Sequence, residues 1–255
     1  MTNEIIDIHA HVPLDLRLIP DMVRSFRRNL VSMVFISSLG RNHWPAFPSA
    51  KEVNQANEDA FDLCDRYAGF FRAYVYLNPL ENWAKHINKW SQNSNFVGVK
   101  LWISLKNSLG DPGVCFPVLK YAADKGFPVL IHSFFRNKGQ FAGELNPAEV
   151  ARLARQIPKV KIIMAHLGGT WEKGLYAVAD QKNVFVDVSG GPPSRGMLET
   201  AVRLCGHDRV LFGSDMPCRT VQSQLWKICA AKIPQGIKKK ILGINARIIF
   251  GKNFR

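Results

Sequence analysis

Eight short apolar runs, most rich in β-branched or aromatic residues, recur along the chain at 5–8, 30–36, 70–77, 96–102, 127–131, 160–165, 183–188 and 209–213. Each has the length of a buried strand. Helical spacing fills several of the intervals: Val53, Ala56, Ala60, Cys64 and Tyr67; Phe116, Leu119 and Ala123; Val150, Leu153, Ala154 and Ile157; Leu198, Val202 and Cys205. Strands that alternate with helices build parallel sheets, because a parallel neighbour is reached only through a crossover. An open doubly wound sheet would carry a glycine-rich phosphate loop after its first strand. Here Gly168-Gly169 and Gly190-Gly191 are pairs at later strand ends. The expected fold is an α/β (β/α)₈ TIM barrel, one domain over 1–255, and 255 residues with 47 % hydrophobic composition can bury its core.

That fold gives meaning to where the polar residues fall. His9 and His11 close the first strand, His132 the fifth and His166 the sixth, and Asp215 closes the eighth. Taken singly, each has a plain structural reading. An HxH pair is common by chance, a lone buried histidine is usually a hydrogen-bonded core residue, and an aspartate before Met216-Pro217 can cap a turn. Together they lie at C-terminal strand ends, the rim where barrel enzymes carry chemistry. Imidazoles with a carboxylate suit Zn²⁺ or a similar divalent ion, and a catalytic site leaves one coordination position for water.

Composition narrows the partners. Thirty-four Lys and Arg against twenty Asp and Glu give +14, a surplus that raises an anionic substrate, nucleic acid or a membrane surface as partners; a small carboxylated substrate is what the reaction readings below expect. No basic motif with interleaved aromatics accompanies the surplus, so nucleic acid is not expected, and Lys238-Lys239-Lys240 reads as a solvated helix start. The absence of a long apolar run or a secretion-type N-terminus argues against a membrane span and for the cytoplasm. Five scattered cysteines with no CxxC pair suit a reducing compartment. The stretch 38–51, with Gly40, Pro45 and Pro48, reads as a long loop over one barrel face.

The segments DIHAH (7–11), GVKLW (98–102), GFPVLIHS (126–133), IIMAHLGG (162–169), NVFVDVSG (183–190), LFGSDMP (211–217) and NARIIFG (245–251) together resemble the amidohydrolase superfamily. The similarity is to its amidohydrolase-related branch of small hydrolases, lactonases and non-oxidative decarboxylases. The resemblance implies one divalent metal ion held by His9, His11, His132 and Asp215, with His166 beside it and Asp215 also handling a proton. It implies a homodimer as well. In binuclear relatives a lysine of the fourth strand is carbamylated and bridges two metals. For Lys100 that reading is not favoured over a substrate-binding or supporting ammonium, and an outward lysine is the third alternative. Lys100 shares strand parity with Trp102, whereas Val97, Val99 and Leu101 take the other side.

The leading expectation is a metal-dependent hydrolase whose metal-bound water attacks a small, carboxylated lactone, ester or amide. Asp215 would accept the water's proton and deliver it to the leaving group, and His166 would hydrogen-bond the developing oxyanion. The alternative is a metal-dependent non-oxidative decarboxylase of a small unsaturated or aromatic acid; a third reading is a barrel that has lost catalysis and only binds. Cations for the substrate carboxylate are Arg41, Arg136, Arg195 and Arg219, besides Lys100. Trp102, Phe134 and Trp171 are candidates for an aromatic subsite. His43, His86 and His207 fall outside the rim constellation, and Asp7 either orients His9 or ends its strand.

Overall fold

The computed structural model describes residues 4–41, 48–102, 112–141 and 144–251. Eight parallel strands run in sequence order around a barrel: β1 (Ile5–His11), β2 (Val31–Ser37), β3 (Phe71–Leu77), β4 (Phe96–Leu101), β5 (Pro128–Ile131), β6 (Lys161–Met164), β7 (Val184–Asp187) and β8 (Val210–Leu211). The seam between the first and last strands is closed by Ile8 N to Phe212 O (3.0 Å), Asp215 N to His9 O (2.7 Å) and His11 N to Met216 O (2.7 Å). The two histidines and Asp215 therefore meet because the chain's two ends pair. Each apolar run of the sequence overlaps one strand, though β1 continues through His11 and β2 through Ser37.

Eight helices follow the eight strands: α1 (Ile19–Arg28), α2 (Ala50–Arg66), α3 (Trp83–Trp90), α4 (Phe116–Lys125), α5 (Pro147–Gln156), α6 (Trp171–Val178), α7 (Met197–Cys205) and α8 (Val221–Ala230). Local chemistry fixes their starts. Ser49 and Glu52 form a reciprocal capping box on α2, and Asn146 and Glu149 do the same on α5, satisfying amides that the first turn leaves without partners. The lysine triplet closes a short helix, α9 (Gln235–Lys239), and Lys240 pairs with Asp208 at 2.8 Å. The last helix, α10 (Asn245–Phe250), seals the N-terminal mouth: Phe250 packs edge-on against Phe35 and Tyr74 at centroid distances of 4.8 and 6.1 Å. Arg247 clasps Glu4 with two bonds of 2.5 and 2.6 Å. Among the described residues no helix is long and apolar enough to cross a membrane.

Two apolar layers result. Ile6, Ile8, Phe35, Tyr74, Leu130, Ile163 and Leu211 fill the barrel interior, while Val34, Ile36, Val75, Val99, Leu101, Val129 and Ile162 face the helices. Val97 corrects the simple alternation expected of β4. It belongs to the interior cluster and not with Val99 and Leu101, because the pairing of β3 with β4 shifts register between Ala73 and Tyr74, and such a bulge turns one side chain to the opposite face. Of the loop expected over 38–51, residues 42–47, and with them His43, lie outside the described residues, and α2 begins at Ala50.

Candidate active site

At the C-terminal rim a cavity of about 370 Å³ is lined by His11, Lys100, Trp102, His132, Phe134 and His166, together with Asp215 and Arg219. His9 lies just beneath, fully buried. One ligand-type atom each from His9, His11 and Asp215 falls within 4.8 Å of the others. His9 Nε2 is 3.9 Å and His11 Nε2 3.3 Å from Asp215 Oδ1. The strand-end placement read from sequence thus brings these three together.

The surroundings fix which nitrogen each ring presents. His9 Nδ1–H donates to Asp187 Oδ2 at 2.8 Å, leaving the Nε2 lone pair toward the site. His11 Nδ1 lies 3.3 Å from the Ser37 carbonyl and 3.1 Å from its hydroxyl, so it donates there and Nε2 is again the acceptor. This is the arrangement by which an outer partner sets a metal-binding imidazole. His132 differs. Its Nε2–H donates to Glu144 at 2.9 Å, and its Nδ1 is buried with no hydrogen-bond partner among the described residues. A buried acceptor without a partner is costly and marks a position where a ligand belongs. His132 lines the cavity, its ring 5.2 Å from that of His166, but it stands outside the compact His9–His11–Asp215 group.

The site's donor types fit a divalent cation: the imidazole nitrogens His9 Nε2, His11 Nε2 and His132 Nδ1, and the Asp215 carboxylate. Burial pushes His11 and His132 down to about 4 and His166 well below its ordinary value. Burial alone would raise Asp215; the facing His166, His11 and His9 rings reverse the sign and hold it below the carboxylate range. A second close group, His9, His166 and Asp187, serves a different purpose. Asp187 Oδ1 accepts from the His166 amide (3.0 Å), the Ser189 amide (2.9 Å) and the Ser189 hydroxyl (2.5 Å), and Oδ2 accepts from His9. Its lone pairs are committed to holding the site together.

Asp187 and Ser189 were not among the residues singled out from sequence. The signal was there: Asp187 ends β7 at the same rim as the other polar strand ends. Because the Ser189 hydroxyl donates to Asp187, it accepts from His166 Nδ1–H (2.9 Å), and His166 Nε2 is left as an acceptor. The expected role of His166 as donor to an oxyanion is corrected accordingly. Backbone strain accompanies this function. His166 and Asp215 have φ of 60° and 62°, a left-handed conformation that non-glycine residues seldom adopt. Gly190 leaves room for the His166 ring, since a Cβ there would lie 2.6 Å from Nδ1.

Asp7 does not touch the His9 ring. Its Oδ1 accepts from the His9 and Ser214 amides at 3.1 and 2.9 Å, and its Oδ2 has no hydrogen-bond partner among the described residues. Burial pushes its carboxyl up to about 7, against those hydrogen bonds. A folded pKa above the unfolded value means that the stability tied to the proton is complete below about pH 4 and lost as pH rises through about 7. His11 and His132 act in the opposite sense over nearly the same range, between about pH 4 and 6.5. Between about pH 4 and about pH 7 the thermal midpoint of the wild type is therefore expected to fall relative to that of Asp7→Asn, the difference that calorimetry on the two proteins reads. Parallel curves would remove Asp7 as the cause.

The substrate-binding candidates divide. Lys100 is buried, with Nζ 2.9 Å from His9 Nε2, so the outward reading is corrected. Trp102 stacks obliquely on His132 at 3.9 Å. Arg219 lines the cavity and, among the described residues, bonds carbonyls, Gly190 O from Nε (2.9 Å) and Cys218 O from Nη1 (3.0 Å). Arg136 also lines the cavity, but both arms of its fork hold Glu144 at 2.6 Å, a carboxylate the sequence reading missed. Arg41 is drawn away to Asp59 on α2, and Arg195 lies on a separate surface hollow beside Trp226; neither lines this cavity. Trp171 opens α6 and packs against the outer core, and His86 and His207 also lie elsewhere.

A closed parallel barrel with a buried imidazole–carboxylate cluster at its C-terminal rim defines a class, the barrel hydrolases and lyases that work on a rim-bound cation. The family model described as "Amidohydrolase" matches residues 6–252, and the chain belongs to the amidohydrolase family, a family of metal-dependent enzymes. A comparison with curated proteins finds no match. Among solved structures, 5-carboxyvanillate decarboxylase of Novosphingobium aromaticivorans, complexed with manganese and 4-hydroxy-3-methoxy-5-nitrobenzoic acid, is similar at TM-score 0.76 and 15 % identity, covering 98 % of this chain and 99 % of that one. The 2,6-dihydroxybenzoate decarboxylase of Rhizobium follows at 0.70 and 16 %, covering 99 % and 100 %. The dihydroxybenzoic acid decarboxylase of Polaromonas, with manganese and 2-nitroresorcinol, is similar at 0.69 and 18 %, covering 99 % and 98 %. At such identities the likeness speaks for the fold.

Proposed function

We propose that this protein is a metal-dependent non-oxidative decarboxylase of a small aromatic carboxylic acid, the reading weighed second from sequence. The observation that carries it is the cavity, where Trp102 and Phe134 line the wall beside the His132 and His166 rings and Arg219 lines the same space. A planar anion fits such walls: aromatic faces take the ring and a guanidinium takes a carboxylate. Three similar folds named as decarboxylases of ring acids, two with manganese, support the same substrate class and argue for Mn²⁺ over the expected Zn²⁺.

His9, His11 and Asp215 would hold the cation, with His132 Nδ1 as the fourth donor. When bound, the ion supplies Lewis-acid polarisation of the substrate's oxygens. The chain's own groups handle the proton. His166 Nε2 accepts a hydrogen bond from a ring hydroxyl and orients it. Asp215, kept ionised, would take a proton from solvent water that reaches the cavity and deliver it to the ring carbon that bears the carboxylate, leaving hydroxide to be neutralised in the solvent. A C–H bond forms there, the C–C bond to the carboxylate breaks, its electron pair returns to the ring, and carbon dioxide leaves. Trp102, Phe134 and Leu39 screen the reacting carbon from water.

The direct test incubates Mn²⁺-loaded protein with a panel of hydroxybenzoates and carboxylated lactones, following carbon dioxide and organic product together. Release of carbon dioxide with the matching phenol, abolished by a chelator and restored by Mn²⁺, is expected. A ring-opened acid without carbon dioxide would instead favour hydrolysis, which the family match keeps as the second reading. Arg219→Met is expected to raise KM roughly 10- to 100-fold, the value of one charge-assisted hydrogen-bond pair. Unchanged KM in steady-state assays would remove Arg219 from substrate binding.

A further inference from the structure

Lys100 poses a problem for any cation at this site. Its Nζ lies 2.9 Å from His9 Nε2, and both residues are buried. His9 gives its only N–H to Asp187, so Nε2 has one lone pair, and the Lys100 ammonium donates into it. A nitrogen lone pair can serve an ammonium or a metal ion, but not both, and two cations confined to that space repel strongly. The lysine's root is fixed. Gly98, two residues earlier on β4, is packed so tightly that a Cβ would lie 2.4 Å from the Pro128 carbonyl oxygen of β5, and Lys100 itself pairs with Leu130 across the same strands. Its long stem, in contrast, can swing, and the direction open to it is the cavity it already lines with Trp102 and Arg219.

We propose that Lys100 is an internal competitor for the divalent cation: it caps His9 Nε2 until a metal ion displaces it into the cavity, where its ammonium receives the substrate's carboxylate beside Arg219. The inference rests on the metal-dependent reading above and extends it, since loading the metal and preparing the anion subsite become one event. Asp215 and Asp187, the nearby carboxylates, attract the ammonium before loading and the metal after it.

Titration calorimetry with Mn²⁺ on the wild-type protein and on Lys100→Met, which keeps the stem and removes the charge, tests the competition. The variant is expected to bind Mn²⁺ about tenfold more tightly or better, because no charge-assisted hydrogen bond has to be broken first. Equal or weaker binding by Lys100→Met, the outcome if a modified Lys100 were itself a ligand, overturns the proposal while leaving the metal-dependent reading intact. Binding by neither protein overturns both. A measurement on the wild type alone stands independent of the variant's folding: brief acetylation, with Lys100 quantified by mass spectrometry. Mn²⁺ is expected to speed labelling of Lys100 by releasing it into the cavity, and unchanged or slower labelling overturns the displacement.

Discussion

Asp215→Asn is expected to lower kcat at least roughly 100-fold, measured by steady-state turnover of Mn²⁺-loaded protein, because the substitution removes both the proton carrier and a charge facing three imidazoles. Asparagine is the informative replacement. It has nearly the same shape and accepts the left-handed backbone that Asp215 occupies (φ 62°), so the fold and the β8 turn should survive. Metal content by elemental analysis separates the two contributions. If the variant keeps a full equivalent of Mn²⁺ and still turns over slowly, proton delivery is the lost step. Near-normal turnover with the metal retained would sink the role given to Asp215.

Asp187→Asn should be nearly as damaging, although Asp187 does not line the cavity. Its carboxylate receives four hydrogen bonds, from the His9 ring, the His166 and Ser189 amides and the Ser189 hydroxyl. An asparagine must turn an NH₂ toward at least one of these donors. His9 then loses the partner that presents Nε2 to the site, and Mn²⁺ affinity is expected to fall roughly 10- to 100-fold in calorimetry. A buried donor facing another donor should also cost about 2 kcal/mol of stability, read from denaturant midpoints. Wild-type affinity in this variant would mean that His9 is oriented by something else.

The barrel was legible because its two periods are. Alternation such as that of Ile6 and Ile8 and helical spacing such as that from Val53 to Cys64 follow from geometry that packing does not override. The rim cluster was legible for the same reason: a strand end is a predictable place, so His9, His11 and Asp215 could be assigned to one rim. What failed was the direction of side chains on loops. Arg41 looked free in sequence, but Asp59 of α2 claims its fork, and Glu144 claims Arg136. Such pairs are set by tertiary distance, of which local sequence carries no trace. The β-bulge that moves Val97 inward is equally silent, being one extra residue in a run that otherwise alternates.

The seam between β1 and the end of β8 has a kinetic consequence. His9 waits for a carboxylate 178 residues away and Asp7 for an amide 207 residues away, so the centre joins the two most distant parts of the described barrel. Contacts of such separation form after local ones, because the loop they close must first be ordered. The first half of the barrel would hold His9 without Asp187 and His11 without Asp215. Mn²⁺ present during refolding should therefore leave the early, helix-forming phase unchanged and slow only the reopening of the finished protein, making the ion a lock applied after assembly and not a template for it.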